Sequence, residues 1–171
     1  MLPGVRVIDL KRNVDERGSF TEILRDDWQE FLGNDHPVQA NLSVSYPGVI
    51  RAWHRHERGQ SDVFVVIRGS LKVCAYNDLG GPQNGELDEV VTSGERLQAV
   101  IVRGDYWHGT KCVSPVPSET VYFVTRLYDP NSPDELRRPW DDPKVVPSSI
   151  NGNAKDPRAG RPWNWNAPPH K

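Results

Sequence analysis

The stretch from Gly48 to Gly69 constrains this chain more than any other. Two apolar runs, Val49-Ile50 and Val63 to Ile67, enclose Arg51, His54, His56 and Asp62. β-Branched and aromatic residues suit a pleated, half-buried surface, so both runs read as strands. A guanidinium, two imidazoles and a carboxylate between buried strands exceed what an ordinary core tolerates without partners. A small charged ligand is the expected occupant.

The remainder reads as strand after strand. Val5 to Leu10 is a short apolar run, and Asp15-Glu16-Arg17-Gly18 has the composition of a turn. Alternation resumes over Ser19 to Leu24 and again from Val38 to Tyr46, which ends at Pro47-Gly48. Asp26 to Leu32 is expected to be helical, with acids at its start and Gly33 as a stop. Further strands are expected at Ser70 to Tyr76, Asp88 to Thr92, Leu97 to Val102, His108 to Val113 and Thr120 to Tyr128. Asn77 to Leu87 is a Gly/Pro/Asn loop, and Ser132-Pro133-Asp134-Glu135 resembles an N-cap followed by proline at the first helical position. From Pro139 onward periodicity is lost. Trp140, Trp163 and Trp165 nevertheless give that tail enough apolar surface to pack on the body.

Many short strands, turn signals between them and few short helices predict an all-β sandwich or barrel, with a jelly roll of the cupin type as the best single choice. A chain of 171 residues is expected to form one domain over 1–171, with 139–171 as its irregular tail. The formal net charge of -2, with acids and bases interspersed, supplies no field for nucleic acid. No apolar run approaches the roughly 20 residues needed to cross a bilayer. No membrane association is expected, and a cytoplasmic location follows. Cys74 and Cys112 are expected as buried, reduced thiols.

Five motifs in order give the sequence a specific resemblance. They are Asp15-Glu16-Arg17-Gly18-Ser19-Phe20-Thr21-Glu22, Gln39-Ala40-Asn41-Leu42-Ser43, Gly48-Val49-Ile50-Arg51-Ala52-Trp53-His54, His108-Gly109, and Tyr122 to Pro130 followed by Trp140-Asp141-Asp142-Pro143. Over about Val5 to Pro143 the chain resembles the dTDP-4-dehydrorhamnose 3,5-epimerases, cupin-fold enzymes that epimerise nucleotide-linked 4-keto-6-deoxy sugars. The resemblance implies His54 as the base and Tyr122 as the acid. It implies Arg51 and His108 near the enolate oxygen or the diphosphate, Arg17 on phosphate, Phe20 and Tyr128 against the nucleotide, and Glu22, Gln39 and Asn41 as hydrogen-bonding groups. A homodimer and a dTDP-sugar substrate are implied as well, with no cofactor.

The chemistry supports these roles independently. C3 and C5 of such a sugar flank the C4 ketone, so loss of either proton gives an enolate with its charge on one oxygen. A histidine titrates near neutrality and suits the abstraction, while a tyrosine can return a proton from the other face. Preorganised positive charge at the oxygen contributes most.

Two departures from the family pattern stand out. Where the family has Gln-x-Lys, this chain reads Gln60-Ser61-Asp62, an anion in place of a cation. The family's Lys-Asp pair, which orients the catalytic histidine, corresponds to Lys155-Asp156 after a shorter connection, so Asp156 and Asp62 compete for that role. A second reading uses the same stretch: Gly48, His54, His56, Asp62 and Gly69 resemble a metal-binding cupin pattern, with His54, His56, Asp62 and His108 as ligands. A third is a sugar-nucleotide-binding protein without activity. Geometry separates the first two. Residues at i and i+2 of a regular strand share a face, which pairs His54 with His56 and turns Arg51 away; an epimerase pocket needs a bulge or twist between Arg51 and His54.

Overall fold

A computed structural model of the chain describes residues 1–168. Its strands are β1 (Arg6–Asp9), β2 (Asn13–Asp15), β3 (Gly18–Phe20), β4 (Gln39–Ser45), β5 (Ile50–Arg55), β6 (Ser61–Arg68), β7 (Ser70–Tyr76), β8 (Glu86–Ser93), β9 (Gln98–Arg103), β10 (Trp107–Cys112), β11 (Ser118–Val124), β12 (Leu136–Arg137) and β13 (Ser149–Ile150). One short helix, α1 (Gln29–Leu32), interrupts them. A five-stranded sheet, ordered β1-β9-β6-β11-β4, faces a six-stranded sheet, ordered β12-β5-β10-β7-β8-β13, and β2 pairs with β3 as a separate hairpin. This is the all-β jelly roll expected from the sequence.

Alternation along the central strands explains the layering. On β6, Phe64 and Val66 point inward to meet Leu71, Val73 and Ala75 of β7, together with Val100, Val102 and Tyr106. Their neighbours Val63 and Val65 point outward and are covered by Phe31 and Leu32 of α1, with Ile23, Leu24 and Trp28. Across the molecule, Cys74 and Tyr76 leave the outer face of β7 and pack beneath Trp163 and Trp165 of the tail. Central strands are thus covered on both faces, which is why Val63 to Ile67 reads as an unbroken apolar run. Both cysteines are free and buried.

The chain crosses between sheets at Tyr46-Pro47-Gly48-Val49, where Val49 N–H donates to the Tyr46 carbonyl at 3.1 Å. Proline presets the second position of that turn, and Gly48, at φ +78°, takes the third without a Cβ penalty.

Two local expectations are corrected, and a third is refined. The early helix is only Gln29–Leu32, because Arg25 ties Glu22 and Asp27 together and Asp26 pairs with His36, so the acids serve loop contacts rather than a longer helix. Ser132 to Glu135 is not helical. The Asp134 carboxylate instead accepts the backbone N–H groups of Glu57 and Arg58 at 2.9 and 3.0 Å, and the chain continues as β12 on the edge of β5. The tail from Pro139 is irregular as expected, apart from β13 and its parallel pairing with β8; its last three residues, 169–171, lie outside the described residues.

Candidate active site

At one end of the inter-sheet layer the inward-facing positions turn polar, and a cavity of about 990 Å³ opens there. That is at the upper end of the size usual for a small-molecule site. The five-stranded sheet contributes Gln39 and Asn41 from β4, Asp62 from β6 and Tyr122 from β11. Opposite them stand Arg51 and His54 from β5 and His108 from β10.

Pairing between β5 and β10 answers the geometric question posed by the sequence. His108 lies opposite His54 and Thr110 opposite Arg51, so two steps on β10 match three on β5. The extra residue is a bulge at Ala52-Trp53, and it brings Arg51 and His54, three positions apart, to the same cavity. Trp53 points the other way and is fully buried against Trp165, ring centroids 4.8 Å apart. Gly109 permits the interlock, since a Cβ there would stand 2.3 Å from the Ala52 Cβ.

His54 sits with its Nε2 3.9 Å from Glu135 Oε1 and its ring edge-on to His108 at 6.2 Å between centroids. Burial pushes its pKa below the ordinary value, only partly offset by Glu135, so the ring is neutral near pH 7. Tyr122 stacks on Phe64 at 6.2 Å. Burial first, and then the Asp62 charge, push its phenol up, against the opposing pull of Arg51. Arg51 donates to Ser45 Oγ at 3.1 Å and to the Val44 carbonyl at 3.3 Å. Gln39 donates to Asn41 Oδ1 at 2.9 Å and accepts the Tyr128 backbone N–H at 3.2 Å, which ties the two strand amides to the loop bearing Tyr128.

Asp62 is the most deeply set carboxylate of the site. Its Oδ2 lies 3.2 Å from His108 Nε2 and 3.8 Å from His56 Nε2, and its Oδ1 accepts from Gln60 at 2.7 Å. Burial works to raise its pKa, but the two imidazoles outweigh burial and hold the carboxyl well below the usual range. For His56, burial pulls downward and the Asp62 charge prevails, leaving the ring raised. Among the described residues one group of His, Cys, Asp and Glu has ligand atoms close enough for a metal, namely His56, Asp62 and His108, within 4.8 Å of one another. His54 is not a member of it. The four-ligand arrangement of the metal-binding pattern does not form, because β5 ends at Arg55 and His56 leaves the strand to meet Asp62.

Four sequence-derived site residues lie elsewhere. Asp156 is buried in the tail, where Arg158 donates to it at 3.0 and 2.9 Å, and it does not line the cavity. The shorter connection leaves it on the outer face of the six-stranded sheet beside Glu89, so the carboxylate facing His54 is Glu135. Arg17, Phe20 and Glu22 also stand outside the cavity: Arg17 pairs with Asp15 on the exposed β2–β3 hairpin, Phe20 is 66% exposed, and Glu22 pairs with Arg25.

Residues that the sequence reading did not assign include Gln60, Phe64, Arg58, Arg126, Asp134, Glu135, Arg137 and Arg138, all lining the cavity. The 132–138 segment folds over the mouth through β12, and Arg138 and Trp53 exchange backbone hydrogen bonds at 3.1 Å. Gln60 carried a usable signal, because it lies two residues before Asp62 on the strand approach.

Comparison with known proteins agrees with this geometry. The sequence pattern of the family described as dTDP-4-dehydrorhamnose 3,5-epimerase matches residues 1–159. The chain is 43% identical over 138 residues to the probable low-salt glycan biosynthesis epimerase Agl13 of Haloferax volcanii, covering 80% of this chain and 87% of that protein. It is 37% identical over 147 residues to the spore coat polysaccharide biosynthesis protein SpsL of Bacillus subtilis, covering 85% and 94%. Among solved structures, it is similar to the dTDP-6-deoxy-D-glucose-3,5-epimerase RmlC of Legionella pneumophila, in complex with dTDP-4-keto-L-rhamnose. There the identity is 27%, the TM-score 0.73, and coverage 88% of this chain and 84% of that one.

Proposed function

The chain belongs to the dTDP-4-dehydrorhamnose 3,5-epimerase family of carbohydrate isomerases, and from that premise we propose that it epimerises a dTDP-linked 4-keto-6-deoxyhexose at C3, C5 or both, in glycan or polysaccharide biosynthesis. The observation that carries this reading is that His54 and Tyr122 line one cavity from opposite sheets.

Neutral His54 takes the proton from the carbon next to the C4 ketone, and the C–H electron pair moves to the C4 oxygen as an enolate. Tyr122, kept protonated by its raised pKa, returns a proton to the opposite face, and the ketone reforms with the centre inverted. His54 then releases its extra proton to water and the Tyr122 phenolate takes one up, which restores both groups. Arg51 supports the oxyanion or diphosphate, and Gln39, Asn41 and Tyr128 are suited to the sugar and nucleobase. Glu135 takes the orienting place beside His54.

A homodimer accounts for Arg17, Phe20 and Glu22. Strand β4 is an open edge of its sheet, and Val38, Leu42, Val44 and Tyr46 are exposed along it. A second copy joined there would offer its cavity to the exposed hairpin. Free cysteines support a reducing, cytoplasmic location, and among the described residues no helix is long and apolar enough to cross a membrane.

The test is solvent deuterium incorporation into a dTDP-4-keto-6-deoxyhexose. His54→Ala and Tyr122→Phe are each expected to lower it by at least a hundredfold while dTDP binding stays within about threefold. Unchanged exchange in both variants overturns the assignment.

A further inference from the structure

We propose that Asp78, which lies outside the cavity, is a positioning residue of the active site: its carboxylate anchors the 132–138 segment so that Glu135 stays beside His54. The proposal rests on the reading above of His54 as the base and Glu135 as its partner.

Three elements converge on this one carboxylate. Arg55 of β5 donates to Asp78 Oδ1, while Trp107 Nε1 of β10 and Arg138, just beyond β12, donate to Oδ2 at 3.0 and 2.8 Å. Both guanidiniums also lie over the Trp107 ring, 4.5 and 4.1 Å from its centroid, where the electron-rich face of an indole attracts a cation. Each donor neighbours the site in sequence: Arg55 follows His54, Trp107 precedes His108, and Arg138 is three positions after Glu135. Successive strand residues face opposite ways, so Arg55 and Trp107 stand behind the wall that His54 and His108 present to the cavity. Asp78 is itself held in place. Asn77 Oδ1 accepts the Leu79 N–H at 3.0 Å, and Asn77 Nδ2 donates to the Gln83 carbonyl at 2.9 Å, which fixes the turn that presents the carboxylate.

The segment over the mouth needs such an anchor. Strand β12 has two residues, both exposed, so it buries little apolar surface to hold itself on the edge of β5. Its N-terminal side is fastened where Asp134 accepts the Glu57 and Arg58 N–H groups, and its C-terminal side where Arg138 meets Asp78. Glu135 stands between these two fastenings, 3.9 Å from His54 Nε2. With the second released, the segment turns about Asp134, and a shift of about 1 Å at Glu135 is enough to misplace the base.

The experiment uses the full chain with Asp78→Asn and, separately, Arg138→Gln, which leaves Arg55 and Trp107 on Asp78 and cuts only the segment. Native-state amide exchange reads the anchor. The Arg138 and Trp53 amides, bonded to each other's carbonyls at 3.1 Å, are expected to exchange at least tenfold faster in both variants. Deuterium incorporation into the keto-sugar, measured well below Tm, reads the consequence: kcat is expected to fall about 100-fold with KM within about threefold of the parent. On a Glu135→Gln background, Asp78→Asn is expected to add less than about threefold, because both changes act on one contact. Unchanged amide exchange overturns the anchor. Faster amide exchange with native kcat, or losses that simply multiply with that of Glu135→Gln, overturns the positioning role. A parent chain that incorporates no deuterium contradicts the epimerase reading instead, and the anchor then stands or falls on amide exchange.

Discussion

Replacing Asp156 with asparagine separates a structural carboxylate from a catalytic one. Arg158 donates to Asp156 at 3.0 and 2.9 Å and to Glu89 at 2.9 Å, while Lys72 lies 3.2 Å from the same Glu89. Among the described residues, Arg158 thus stands between the carboxylates of Asp156 and Glu89, and Lys72 stands beside Glu89. Asp156→Asn removes one of the two carboxylates that Arg158 pairs with, beside Trp163, whose ring centroid lies 5.5 Å from the Arg158 guanidinium. Breaking a buried ion pair from one side costs about 3 to 5 kcal/mol, and because Arg158 keeps Glu89 the low end applies, about 3 kcal/mol. For a domain of this size that corresponds to a fall of about 6 to 12 °C in Tm. Thermal unfolding followed by circular dichroism measures the loss, and deuterium incorporation well below Tm measures the chemistry, expected to stay within about twofold of the parent. Loss of an orienting carboxylate from a catalytic histidine, by contrast, lowers kcat by about 10⁴-fold. A drop of that order with Tm unchanged would refute the placement of Asp156 in the tail and restore it as the partner of His54.

Gly109→Ala is expected to force β10 away from the β5 bulge, where the new Cβ would meet Ala52 and the Arg51 carbonyl. Overpacking of this kind costs about 1 to 3 kcal/mol, and displacement of His54 and Arg51 by an ångström is expected to lower kcat by about 100-fold; native kcat would show that the bulge does not depend on this close approach. Phe20→Ala removes a side chain that touches no part of its own cavity. It is expected to leave Tm within about 1 °C and to weaken dTDP binding about tenfold in a dimer confirmed by sedimentation. Native affinity, or a monomer at working concentration, would contradict the proposed service of the hairpin to a second copy.

How much of this was legible in the sequence varies with the range of the interaction. Strand alternation is a property of five to eight neighbouring residues, so β4, β6, β7, β9 and β10 were readable with small boundary errors. The early helix was overread because acids that favour a helix N-terminus were instead engaged with Arg25 and His36. Ser132 to Glu135 had a helix-start composition, yet Asp134 serves a turn 76 residues earlier, at Arg58, and nothing local encodes that contact.

For the candidate site, the family resemblance named His54, Tyr122, Arg51 and His108, and strand geometry raised the need for a bulge between Arg51 and His54. Only the tertiary structure decided that the bulge exists, because it is a mismatch of count between two strands distant in sequence. The same holds for the meeting of His56, Asp62 and His108: strand period alone grouped His56 with His54, and the end of β5 regrouped it. Side-chain identity and short-range periodicity determine which strands form and which groups can do chemistry. Cross-sheet pairing decides which of those groups share a cavity, since one residue of register turns a side chain from the interior to the opposite face.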